Sequence, residues 1–442
     1  MRDYLIMAFV FSLLPVAFTR PYVGALMWVW ISIMNPHRMT WGPAYGFPFA
    51  MLTAVTTMAG VFVSNDRGRF PASRETSILI AMGAWFTFTT MFALMPQAAY
   101  AKWDRVIKIF IMTIVPLFLL QDKNRLRLLL LVMVASIAFF SVKGGLFSLL
   151  TGGRYRVYGP SQSFIADNNA LAVAELMVLP LMYFLAKTEP RKWVRRGLYV
   201  SVPLTLVSVI FSYSRGALLG LLAMVGVLIV TGRRWGLAMA FVVLAGVGLV
   251  FIPGQWFERM GTIGTYKQDE SAMARFQSWG FAWNVATDRP ITGGGFRVFS
   301  TDQFLRYGPD PFEAYDSHSI YFEVLGEHGF VGLILFLSLL LSAFMSLRWV
   351  ERQIRGRPSI AWAKDYAVML RLSLVSYAVG GAFLGLAYFD LYYDVVAAVV
   401  LLKILVAREL SQEAAGRRAA HAGAMALAKP RVPSTTGIGA VG

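Results

Sequence analysis

Four stretches of this sequence bring together side chains able to hold an anion or move a proton. Phe211-Ser212-Tyr213-Ser214-Arg215-Gly216 sets a guanidinium directly after two hydroxyls, at the break between two apolar runs. Guanidinium is a planar fork of donors that matches a pair of phosphate oxygens, so Arg215 reads either as an anion clamp or as an arginine snorkelling from the end of a span. Arg275 opens a stretch in which Phe276, Trp279 and Trp283 fall at helical spacing, and it reads as a second cationic donor or as a solvated charge. Arg154-Tyr155-Arg156-Val157-Tyr158-Gly159-Pro160, followed by Asp167-Asn168-Asn169, is either an anion-contacting loop or an ordinary loop ending in a helix cap. His318 is the fourth, one of only four histidines (His37, His318, His328, His421), and an imidazole titrating near neutrality suits general-base work. None of the histidine spacings matches a metal site, and the chain has no cysteine. Gly293-Gly294-Gly295 is a turn after a helix, since no strand precedes it as a phosphate loop would require.

These residues need a scaffold, and the composition names its class. At 442 residues, 57% hydrophobic, 15% charged and mean hydropathy +0.59, the chain fits an all-α polytopic membrane protein. The net charge of +17 could suggest nucleic acid. Its cations, however, sit in short loops between apolar runs, as the positive-inside rule describes, and no nucleic-acid partner is expected. Two short apolar runs, 4–18 and 22–34, are split by Arg20-Pro21 and allow one broken span, two spans or a re-entrant pair. Eleven further runs follow, 49–63, 77–94, 106–120, 126–142, 170–186, 197–213, 216–230, 236–252, 330–347, 366–388 and 391–406, for about twelve transmembrane helices. Basic loops at 122–127, 187–196, 233–234 and 348–365 alternate onto one side, assigned as cytoplasmic. That places the N-terminus with them and the loops 95–105, 143–169 and 253–328 outside.

The expected domains are therefore 1–252, N-terminal transmembrane helices; 253–328, an outward loop domain with amphipathic helices; 329–406, C-terminal transmembrane helices; and 407–442, a disordered cytoplasmic tail. The loop domain carries six basic and ten acidic residues, a local charge of −4 in a basic chain. Its 271–286 segment reads as an amphipathic helix able to lie on the membrane surface. At its end His318, Tyr321, Phe322 and Leu325 share a helical face, so His318 is expected to open the helix returning to the membrane.

The outward Ser-x-Ser-Arg-Gly turn, the Arg-bearing helix, the Gly293-x-Gly295 turn and the His318-to-Glu327-x-Gly329 segment together resemble the O-antigen ligase and polymerase superfamily, over residues 45–410. The position after the histidine is Ser319, where that family usually has Asn. Arg156-Val157-Tyr158-Gly159-Pro160 with Asp167-Asn168-Asn169 further resembles ligases associated with exosortase systems, which favours a ligase. The resemblance implies a GT-C-type glycosyltransferase in the bacterial inner membrane, with its site facing the periplasm and no cofactor or metal. It would transfer a glycan from an undecaprenyl-diphosphate donor to a lipid A-core hydroxyl, with inversion and among membrane lipids as partners. His318 would be the base, with Arg215, Arg275, Arg156, Ser214 and Tyr321 binding the donor. An O-antigen polymerase or a protein O-oligosaccharyltransferase would use the same residues. A secondary transporter is disfavoured, because no internal repeat is visible and the polar candidates gather at span ends.

Overall fold

The computed structural model describes residues 1–232, 270–310 and 313–427, apart from Asn65, Arg67 and Arg69, together with scattered positions of 233–269. The expected span at 236–252 and the start of the loop domain lie outside the described residues. Nine helices precede that interval: α1 (Arg2–Thr19), α2 (Pro21–Met34), α3 (Phe49–Val63), α4 (Arg74–Met91), α5 (Pro96–Leu119), α6 (Lys123–Leu150), α7 (Asn168–Thr188), α8 (Lys192–Ile210) and α9 (Arg215–Gly232). After it come α10 (Glu270–Asp288), α11 (Thr301–Tyr307), α12 (Ile320–Ile354), α13 (Ala363–Gly380) and α14 (Asp390–Leu427). No strand occurs among the described residues. Five helical segments are long and apolar enough to cross a bilayer (α1, α6, α7, α12 and 363–383), and α2, α3 and α9 supply shorter apolar stretches. The fold is that of a helical membrane protein.

α7 is buried on every side from Ala170 to Ala186, with only Tyr183 half-buried, and packs among α6, α8, α9 and α13. A helix that is apolar all round belongs inside a bundle. The first half of α14 is equally buried and packs against α5, α12 and α13. Both helices pack against α6 and α13.

The bundle has two polar ends. One carries the loops at 64–73, 120–122, 189–191 and 355–362; the other, the site end, carries 35–48, 92–95, 151–167, 211–214, 289–319 and 381–389. The N-terminus lies at the site end, because the Asp3 carboxylate accepts from Gly42 N (2.9 Å) and Ala44 N (3.2 Å). This corrects the expectation that it sits with the basic loops. Arg20 breaks the first run, Pro21 starts a new helix at the position where its missing N–H costs nothing, and the two antiparallel helices return the chain to the end it came from.

Two further expectations change. The segment after Ala407, read as disordered, continues α14 to Leu427; residues 428–442 lie outside the described set. Its Ala-, Glu- and Arg-rich composition favours helix, and contacts anchor it: Arg408 to Gln121 (2.9 Å), and Glu409 to Lys123 (2.5 Å) and Trp362 (3.0 Å). α12 is also two helices rather than one, interrupted at Gly329, where φ is 66° and ψ is −169°.

Candidate active site

The frame of the site is a lock between two glycine-bearing segments. Gly294 N and Gly295 N donate to the carbonyls of Gly326 and Glu327 (2.8 Å each), and Phe330 N donates to Pro290 O (2.9 Å). Gly293 and Gly329 both hold positive φ, 62° and 66°; a Cβ on Gly329 would meet Pro290 O at 2.6 Å, and one on Gly293 would meet Gly329 N at 2.6 Å. Only glycine allows the two backbones to touch in this way. The Gly293–Gly295 turn and the Glu-x-Gly segment are therefore two halves of one structure.

A buried ionic cluster closes the frame. Lys102 of α5 places Nζ 2.9 Å from Glu323 and 2.9 Å from Glu327, both on the first half of α12. Glu327 also accepts from Arg297 N (2.8 Å) and the Tyr388 hydroxyl (2.7 Å), and Glu323 accepts from Ala387 N (3.1 Å). The ammonium lies 4.6 Å from the Tyr388 ring centroid. Removing one partner from such a buried group typically costs about 3–5 kcal/mol, so the cluster pins α12, α5 and the 385–389 loop together. It also takes Glu327 out of contention as a base. The neighbouring His328 is packed away, with its ring stacked on Phe86 at 3.8 Å and Nδ1 2.6 Å from the Thr89 hydroxyl.

His318 stands just outside this frame. It does not open α12, as the sequence pattern predicts: the helix starts at Ile320, and His318 precedes it with φ of 44°, a left-handed conformation uncommon for a side-chain-bearing residue. The Ser278 hydroxyl donates to Ser317 O (2.8 Å), and the Trp279 ring stacks on Phe322 with centroids 5.1 Å apart. These contacts lay α10 along the start of α12, with its apolar face turned into the protein while Phe276 and Trp283 face outward. Arg275, one turn before Trp279, is thereby brought up to His318. Burial first, and then the Arg275 charge, hold the imidazole below its ordinary value of 6.5, against the weaker upward pull of Asp316 and Asp167. His318 is thus neutral at pH 7, with a lone pair available to accept a proton.

The Ser-Arg turn reaches the same place. Ser214 Oγ accepts from Ala217 N (3.2 Å) as the cap of α9, and Ser214 N donates to Ser212 Oγ (3.2 Å). Asn168 donates to Ser212 O (2.7 Å), and Tyr213, at φ 59°, donates to Gly153 O (2.8 Å). The turn is therefore clamped by the 151–168 loop. Gly216 packs against Gly380 and Phe383, and Phe383 lies 6.4 Å from the Trp279 ring centroid. Arg215 thus occupies the first turn of a helix whose N-terminus already favours negative charge, beside the elements that carry Arg275 and His318.

The remaining predicted residues are placed more variously. Asp167 caps α7, accepting from Asn169 N (2.8 Å) and Ala170 N (3.2 Å), and its charge also reaches His318. Arg156 is exposed, bears on Tyr213 by its charge, and lines an adjacent cavity of about 780 Å³ with Arg2, Arg38 and Lys143. Tyr321 donates its hydroxyl to Ala378 O (2.7 Å) and serves packing between α12 and α13. Among the described residues no group of three or more His, Asp or Glu side chains gathers at metal-ligand spacing. Lys102, Tyr388 and Arg297 escaped the sequence reading. Only their basic or aromatic character at predicted loop edges hinted at them.

Two family models match the chain: a family of unknown function (DUF5935) over residues 1–190, and the O-antigen ligase family over residues 200–337. No curated protein matches it. The second match covers Arg215, Arg275 and His318 together with the glycine lock, and it supports the O-antigen ligase superfamily and an activity of the ligase or polymerase type.

Proposed function

Taking that family as the premise, we propose that the protein is an O-antigen ligase, moving a glycan from an undecaprenyl-diphosphate carrier to a hydroxyl of the lipid A-core on the periplasmic face of the inner membrane. The observation that carries the proposal is the meeting of a neutral, half-buried His318 with the Arg275 cation, next to Arg215 at the N-terminus of α9. An imidazole nitrogen takes the proton of the acceptor hydroxyl as its oxygen attacks the anomeric carbon. The bond from that carbon to the diphosphate oxygen breaks, and the lipid diphosphate leaves with the electron pair. Its growing charge is met by guanidinium groups and helix N–H donors, a fixed electrostatic complement to the transition state. One displacement inverts the anomeric centre. Arg156 extends the positive rim toward the donor, and Ser214 holds the turn that presents Arg215. Deleting the gene in its host and resolving lipopolysaccharide on a gel tests the assignment. Loss of all O-antigen from the core, with carrier-linked polymer still made, is the expected result; core bearing a single repeat unit would identify a polymerase instead, and an unchanged ladder would refute both.

A further inference from the structure

A second cavity, of about 480 Å³, opens at the site end between α2, α5, residues 162–164 and Arg297. We propose that it is a binding site for a phosphate-class anion carried by a lipid. Four cations converge on it from three separated parts of the chain: Arg38, Arg105 and Lys108, and Arg297. Arg105 and Lys108 are three residues apart on α5 and so share a face. Arg297 is presented by a strained backbone: its φ is 62°, and its N–H is fixed to the buried Glu327 carboxylate at 2.8 Å, which leaves the exposed side chain to the cavity. Arg38 is steadied by Gln162, which accepts from its Nη1 at 2.9 Å.

The acids present do not neutralise this group. Asp104 pairs with Lys108 at 2.6 Å, and Asp390 is buried on the cavity wall, which Ser32 also lines. Among the described residues no carboxylate lies within ion-pair distance of the Arg105 or Arg297 side chains. His37, on the same wall, is held neutral: burial, and then Arg38, lower its pKa to about 4, and its buried Nδ1 has no hydrogen-bond partner among the described residues. Arg38, Arg105 and Arg297, gathered without ion-pair partners among the described residues, repel one another, and a multivalent oxyanion offering several acceptors relieves that repulsion. The lining also carries apolar side chains, Trp28, Ile31, Ile109 and Phe164, which suits an anion attached to a lipid rather than a free ion.

The cavity is distinct from the His318 cluster but tied to it. Phe164 on its wall is three residues, at most about 10 Å of chain, from Asp167, whose charge reaches His318. It also joins the two matched segments, since Arg38, Arg105 and Lys108 belong to the first and Arg297 to the second. The proposal stands on binding alone and does not depend on the transfer chemistry.

The test uses the purified full-length protein in neutral detergent, titrated with phosphatidylglycerol, bisphosphorylated lipid A, and diacylglycerol as a phosphate-free control, with bound lipid counted by native mass spectrometry. The Arg105→Gln/Arg297→Gln pair is compared with Lys192→Gln/Arg196→Gln, which removes two cations at the other end. Retention of a phosphate-bearing lipid that weakens 10-fold or more in the first pair and not in the second is the expected result. Binding of both phospholipid and lipid A makes any headgroup phosphate the source; binding of lipid A alone makes it a glycolipid phosphate. If the double variant does not fold, Arg105→Gln on the exposed face of α5 should still weaken binding severalfold. Equal retention by wild type and the cavity variants, or retention of diacylglycerol as well as the phosphate lipids, would overturn the site.

Discussion

The two ends of the bundle are both rich in cations and use them in opposite ways. Away from the site, basic side chains are closed onto carboxylates of other elements: Arg127 grips Glu189 through two bonds (2.9 and 3.0 Å), Arg125 meets Asp66 (2.8 Å), Arg371 meets Glu351 (2.7 Å) and Lys187 meets Asp365 (3.2 Å). At the site end, among the described residues, Lys102 closes on Glu323 and Glu327 inside the frame, and Arg306 lies 4.0 Å from Asp288. Arg38, Arg105, Arg156 and Arg297 instead line cavities. Charge counting orients a membrane protein but does not separate a staple from a binding group. Partnering does.

That contrast predicts different losses at the two ends. Arg127→Ala, which strips the 1%-exposed Glu189 carboxylate of its bidentate partner, should cost about 3–5 kcal/mol of stability, seen as a lowered denaturation temperature in detergent. Transfer per folded molecule should be unchanged. Arg215→Ala and Arg275→Ala should do the reverse, lowering the transfer rate about 10²–10³-fold and weakening donor binding while the denaturation temperature holds. Lysine should restore only part of that loss, because a point charge lacks the bidentate fork. A large stability loss from either site arginine would erase the distinction between the ends.

A smaller effect sharpens the comparison. A base works deprotonated, so the rate should fall as pH drops through the pKa of His318. Because burial and Arg275 lower that pKa, the acid limb should lie below 6.5 and the profile should be flat at pH 7. Arg275→Ala removes a lowering charge and should move the limb upward. Asp167→Asn removes a weak raising one and should move it slightly downward. Excess chelator is expected to leave the rate unchanged, as no metal is assigned a part in the transfer.

Much of this architecture was legible in the sequence where local signals are strong. The 49–63 run matches α3 residue for residue because Pro48 and Ser64 bound it, and Asp167-Asn168-Asn169 announces its cap. Arg275, Ser278 and Trp279 were readable as one helical stretch, though the face it buries was not. Lys102 was hidden because α5 begins at Pro96 with an amphipathic turn of Ala, Gln and Lys, ten residues before its apolar run, which hydropathy marks as loop. Its partners lie more than 220 positions away, and no local pattern encodes such a pairing. The left-handed turn at His318 is likewise imposed by tertiary contacts, Ser278 on Ser317 above all, and periodicity alone extended the helix through it.

The central claim is that His318 accepts the acceptor's proton while the arginines hold the diphosphate. It is tested most directly by measuring donor binding and turnover separately on purified His318→Ala with a lipid-diphosphate glycan donor. Turnover should fall roughly 10²- to 10⁴-fold with donor affinity unchanged. A folded His318→Ala protein that turns over at the wild-type rate would contradict the account.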